Sequence, residues 1–192
     1  MRPFDYHLVL AYASPILLFS ALLLRLMARA CPRWRWLVPL VVAAALSVPI
    51  CGLSPIEHLR GRIGDFSITT LLLLGASAWQ YLSGRPVLGC KDHAAIFACT
   101  SLAGLVLYPL TLGIGGWDPY ELGYRPLAML GILLVLAAWG RWRGYRAAAF
   151  VPIIVLAWCA GLLESTNLWD YLLDPLVAIY GVGWLATALV RR

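Results

Sequence analysis

Nine residues, Glu57 to Asp65, hold five side chains able to bind ions or move protons: Glu57, His58, Arg60, Arg62 and Asp65. Arg60 and Arg62 carry planar, permanently charged guanidiniums suited to gripping a phosphate or carboxylate. His58 is a general-base candidate, with Glu57 or Asp65 to orient its ring. The same residues also suit a self-neutralising loop, since three-residue spacing pairs Glu57 with Arg60 and Arg62 with Asp65. Asp65 or Ser67 is placed to cap the helix that follows.

Two other polar segments interrupt an otherwise apolar chain. In GGWDPYELGYRP, 115–126, Arg125 offers a third anion-binding group, while Trp117, Tyr120 and Tyr124 suit a membrane interface. Glu121 lies four residues before Arg125 and pairs with it if the segment is helical. In LLESTNLWDYLLDPL, 162–176, two helix starts are open. Asn167 can cap one long helix that carries Asp170 and Asp174 on a shared face, or Asp174 can cap a shorter one opened by Pro175. Acids at membrane depth need an arginine, a cation or a proton. The candidate catalytic set is therefore His58, Asp65, Asp170 and Asp174, and the candidate anion-binding set is Arg60, Arg62 and Arg125.

These groups must be positioned by very apolar elements. The chain has 192 residues, 62% hydrophobic and 12% charged, with a mean hydropathy of +0.82. Soluble domains are about half apolar and a quarter charged, so the expected fold is an all-α, polytopic membrane helix bundle. A span needs about 20 apolar residues, and lipid demands that backbone groups be satisfied within helices. Seven runs qualify: 7–28, 36–53, 66–83, 93–114, 126–141, 147–164 and 168–190. The expectation is one integral-membrane domain over 1–192, with short loops and no soluble domain. Arg25, Arg29, Arg33 and Arg35 cluster after the apolar core of the first run, which is the wrong charge order for a signal peptide.

Charge sets the expected orientation. With the N-terminus outside, Arg25, Arg29, Arg33, Arg35, Arg85, Lys91, Arg141, Arg143, Arg146, Arg191 and Arg192 lie inside. Only Arg2, Arg60, Arg62 and Arg125 lie outside. Of the acids, Asp92 alone is inside, so any functional site is expected at the outer face. The excess of arginine over lysine suggests a GC-rich genome and, with the small size, a bacterial inner membrane.

Several chemistries are excluded. The only lysine, Lys91, lies in an inner connection, so no retinal Schiff base forms in the last helix. His7, His58 and His93 sit at span ends, which disfavours a haem held between helices. CKDH, 90–93, lacks a zinc-site ligand set. Cys31, Cys51, Cys90, Cys99 and Cys159 show no paired spacing. Phosphate loops, nucleophile elbows and metalloprotease motifs are missing. No metal or cofactor is expected. Topology and anionic headgroups explain the inner arginines without nucleic acid.

Three functions follow. The chain binds or processes a phosphate-bearing lipid or lipid-linked sugar at the periplasmic face, or it is a non-catalytic subunit of a larger membrane or periplasmic complex. A small proton- or cation-coupled transporter is the third. Membrane lipids are expected partners, with a lipid-linked substrate or a partner membrane protein beside them; the sequence does not decide whether the chain is an enzyme.

Overall fold

The computed structural model describes residues 6–27, 32–50 and 52–190. Arg2, Asp5, Arg29, Cys31, Cys51, Arg191 and Arg192 lie outside the described residues, as do the side chains of His7 and Arg33. The structure is all-helical, with no strand among the described residues. Each of the seven apolar runs holds helix. The chain forms two compact units, one of residues up to Phe66 with Leu71–Val87, the other of Ser67–Thr70 with the residues from Leu88 onward.

The first unit contains α1 (Tyr6–Leu26), α2 (Val38–Ser47), α3 (Pro55–Ile63) and all but the first turn of α4 (Ile68–Ser83). Ala21, Leu24, Val38, Val42 and Ala78 form its buried centre. A 3-10 turn, Pro32–Leu37, leads into α2. From it Arg35 Nη1 donates to the Tyr81 carbonyl at 3.4 Å, and Trp36 meets Trp79 edge-on at 6.5 Å. The end of α4 thereby meets the start of α2.

The segment 54–65, expected as a loop, contains α3. Ser54 Oγ accepts from Glu57 N, the Glu57 carboxylate accepts from Ser54 N, and Pro55 occupies the first position. This reciprocal cap uses the S-x-x-E spacing and a proline whose fixed φ suits the first turn. Gly64 stops the helix at φ +76°, where a side chain is strained.

In the second unit α5 (Cys90–Thr111) lies along α9 (Pro175–Val190), while α6 (Leu127–Trp142) packs on α7 (Phe150–Cys159) and α7 on the short α8 (Leu168–Leu172). Small residues let α5 and α9 approach closely. A Cβ on Gly104 would stand 2.8 Å from Ala178 Cβ, and one on Gly181 would collide with Ser101 Oγ. Ser101 Oγ donates to the Ala178 carbonyl at 3.3 Å, and Phe97 lies between Tyr180 and Trp184. Small residues along the seam let the two backbones come close.

Many large apolar side chains are exposed among the described residues. Leu105, Leu127, Leu134, Leu156 and Ile179 are 62–85% exposed, whereas Ser67, Thr70, Thr100, Ser101, Asn167 and Asp174 are buried. Among the described residues α5 alone is long and apolar enough to cross a membrane; five shorter apolar helices accompany it. Cys90, Cys99 and Cys159 are free and exposed.

Candidate functional site

The predicted residues divide between the two units, His58, Arg60, Arg62 and Asp65 in the first and Arg125, Asp170 and Asp174 in the second.

On α3 the expected ion pairs are replaced by others. Arg60 Nε pairs with Asp65 Oδ1 at 3.3 Å, not with Glu57. Arg62 is exposed and does not pair with Asp65. Glu57 faces back along its own helix, taking Ser54 N at 2.6 Å, Ser54 Oγ at 2.8 Å and the Tyr12 hydroxyl at 3.3 Å. The Ser54 backbone bond, followed by its hydroxyl, holds the Glu57 carboxyl below its ordinary pKa. Neither Glu57 nor Asp65 hydrogen-bonds His58, so the expected orienting carboxylate is absent among the described residues. His58 is exposed on α3. Glu57 serves its own helix start, and Asp65 pairs with an arginine.

Both expected starts of the last helical region occur, and the long helix does not. Asn167 Oδ1 accepts from Trp169 N and opens α8; Asp174 Oδ1 accepts from Val177 N and opens α9. Leu173 between them is extended, at φ −144° and ψ 136°. Pro175 disfavours helical geometry at the residue before it, so one continuous helix through Asp174 is blocked. Asp170 and Asp174 therefore lie on separate elements.

Asp174 is 7% exposed and fully engaged. Its Oδ2 accepts from both Ser67 N and Ser67 Oγ at 2.9 Å. Ser67 in turn caps α4, accepting from Thr70 N at 3.2 Å. Of the two caps expected for that helix, Ser67 is the one used. One carboxylate thus fastens two helix starts, which offsets the cost of burying its charge.

Asp170 meets Tyr120, whose hydroxyl donates to Oδ1 at 3.0 Å and Oδ2 at 2.8 Å. Burial and then the bond to Asp170 push the Tyr120 phenol pKa up, so it stays a protonated donor. The surrounding bonds fix the same junction. Asp118 caps the 3-10 turn Pro119–Gly123 through Tyr120 N at 2.9 Å, and Asn167 Nδ2 donates to the Tyr120 carbonyl at 3.0 Å. Trp169 Nε1 donates to the Pro119 carbonyl at 3.0 Å. Gly123 is required here, because a Cβ would collide with the Asn167 carboxamide. Arg125, just beyond, is exposed.

Tyr120 and Ser67 are the partners that sequence reasoning did not assign to Asp170 and Asp174, and the bond of Asn167 to the Tyr120 carbonyl was not assigned either. Asn167 carried a local signal, its N-cap position. The other two contacts span 50 and 107 residues and have no local signature. Among the described residues no three His, Cys, Asp or Glu side chains gather as a metal-ligand group. No protein-family model, curated protein or solved structure matches the chain.

Proposed function

We propose that this chain is a non-catalytic, multi-pass subunit of a bacterial inner-membrane assembly, with seven spans, the N-terminus outside and the C-terminus inside. The observation that carries the non-catalytic role is the engagement of the candidate acids: Asp65 by Arg60, Asp170 by Tyr120, and Asp174 by Ser67 and Val177. A working acid or base needs an oxygen available to a substrate proton. These oxygens instead hold helix starts and loops together.

The membrane setting is supported by the apolar exterior and buried hydroxyls. Isolated exposed leucines are ordinary on soluble proteins, but apolar faces along α5, α6, α7 and α9 are what lipid contact requires. Charge separation within the second unit agrees with the proposed orientation. Asp118, Asp170 and Asp174 gather where α5 ends and α9 begins, whereas Lys91, Arg141 and Arg143 lie where α5 begins and α6 ends.

A second reading, binding of a phosphate-bearing lipid or lipid-linked sugar at the outer face, is favoured by the exposure of Arg62 and Arg125. Proton- or cation-coupled transport through Asp174 has less support, because that carboxylate already accepts three hydrogen bonds.

Purification from native membranes in mild detergent, followed by mass spectrometry of intact complexes, tests the assignment. A stoichiometric protein partner, retained by D170N and D174N variants that fold, is the expected result. A chain that is alone and turns over a phosphate-bearing lipid, with turnover lost in D170N, overturns it.

A further inference from the structure

Where α5 begins and α6 ends, the second unit carries a built aromatic platform with cations on it. The Trp139 and Tyr145 rings stack with centroids 6.1 Å apart and planes inclined by 25°. Lys91 Nζ stands 5.1 Å from the Tyr145 centroid, and the Arg143 guanidinium 5.7 Å from that of Trp139. Each member of one stacked pair thus holds a cation in place through the negative face of its ring. Arg141 lies within the same helix end, and Trp142 beside it is 80% exposed.

The local fold keeps this platform in shape. After α6, Tyr145 N returns to the Gly140 carbonyl at 2.8 Å and Gly144 N to the Arg141 carbonyl at 3.1 Å, with Gly144 at φ +73°. This is the closing turn that glycine permits, and it folds Tyr145 back beside Trp139. Asp92, the neighbouring carboxylate, is 1% exposed and gives its oxygens to Gly89 N at 2.8 Å and Ala147 N at 3.0 Å. No ion pair engages Lys91, Arg141 or Arg143 among the described residues. Charge is therefore concentrated at one place with aromatic rings to hold it, and one buried acid is committed elsewhere.

We propose that Lys91 and Arg143, on the Trp139–Tyr145 platform, form with Arg141 of the same helix end a binding site for the headgroup phosphate of an anionic phospholipid. The ligand chemistry follows from the parts. Two ring-held cations and a neighbouring arginine complement a phosphate, and guanidiniums offer it paired N–H donors. Exposed Trp142 supplies an amphipathic ring suited to the level of the headgroups. The site rests on the membrane reading but not on the subunit assignment.

Nanodiscs of phosphatidylcholine containing a minority of phosphatidylglycerol test it, with the lipids retained on the protein counted by native mass spectrometry. Wild-type protein should retain phosphatidylglycerol above its share of the bilayer. K91Q, R141Q and R143Q should each lower that enrichment, by about fivefold per charge removed near the headgroups. R85Q removes an exposed arginine outside the platform and should leave enrichment unchanged. W139L keeps every charge but removes the ring beneath Arg143, and should lower it. Wild-type retention no greater than the bilayer share overturns the site whether or not any variant folds. Equal losses in R85Q and R143Q overturn it too, by assigning the preference to bulk charge. Failure of the wild type to enter phosphatidylcholine nanodiscs at all overturns the membrane reading itself.

Discussion

Ser67 and Asp174, 107 residues apart, are joined by two hydrogen bonds of 2.9 Å to a single carboxylate oxygen. The other oxygen takes Val177 N, so the starts of α4 and α9 are set by one side chain. Removing it leaves a buried hydroxyl and two backbone N–H groups without their acceptor. D174A is expected to cost about 2–4 kcal/mol, the sum of a lost cap and unsatisfied donors. D174N, which keeps one acceptor oxygen, should cost less. Reversible unfolding in detergent micelles measures both, and a double-mutant cycle with S67A should show coupling between the sites. Additive losses would deny that the two residues form one fastening.

The apolar runs are legible as helix, since each of the seven holds one, with 168–190 divided before Pro175. The helix α3 is also legible, in the S-x-x-E spacing of Ser54 and Glu57 with Pro55 between them, although its density of charge reads as a loop. The break between α8 and α9 was written in Pro175, which disfavours helix at Asp174. The partners of the acids were not legible. Three-residue spacing suggested Glu57 with Arg60, yet the capping box claims Glu57 and leaves Arg60 to Asp65. Tertiary pairings such as Tyr120 with Asp170 depend on how two loops meet, and no local pattern encodes that.

Glu57 should make the α3 region sensitive to acid. Its folded pKa lies below the ordinary 4.5 because Ser54 bonds favour the charged form. A depressed carboxylate stabilises fully above the unfolded pKa, and that stabilisation disappears as pH falls through the folded value. Protection of α3 amides from hydrogen exchange should therefore decline on acidification below 4.5. In E57Q the protection should be lower at neutral pH and flatter across the acid range. A wild-type profile as flat as that of E57Q would count against the capping role.

The α5–α9 seam predicts opposite outcomes for two glycines on neighbouring helices. G104A places a methyl 2.8 Å from Ala178 Cβ, and relief requires α5 and α9 to move apart. Overpacking of this kind costs about 1–3 kcal/mol. G183A, on α9, meets nothing within 4 Å and should leave stability nearly unchanged. Thermal unfolding of both variants in the same detergent compares them directly. Equal tolerance would mean that the seam is looser than these distances.

The Tyr120–Asp170 pair separates a structural carboxylate from a catalytic one. Y120F removes both hydrogen bonds to Asp170 and should cost about 1.5–3 kcal/mol, as expected for bonds to a charged acceptor. D170N keeps an acceptor for the phenol and should be milder than Y120F in stability. A catalytic Asp170 gives the reverse ranking in function, because the amide cannot exchange a proton while Y120F leaves the carboxylate intact. Complementation of a deletion strain by each variant, alongside its unfolding midpoint, reads the two scales together. Function that follows stability, with D170N less affected than Y120F, supports a scaffolding role for this junction. Loss of function in a stable D170N protein would return Asp170 to the chemistry.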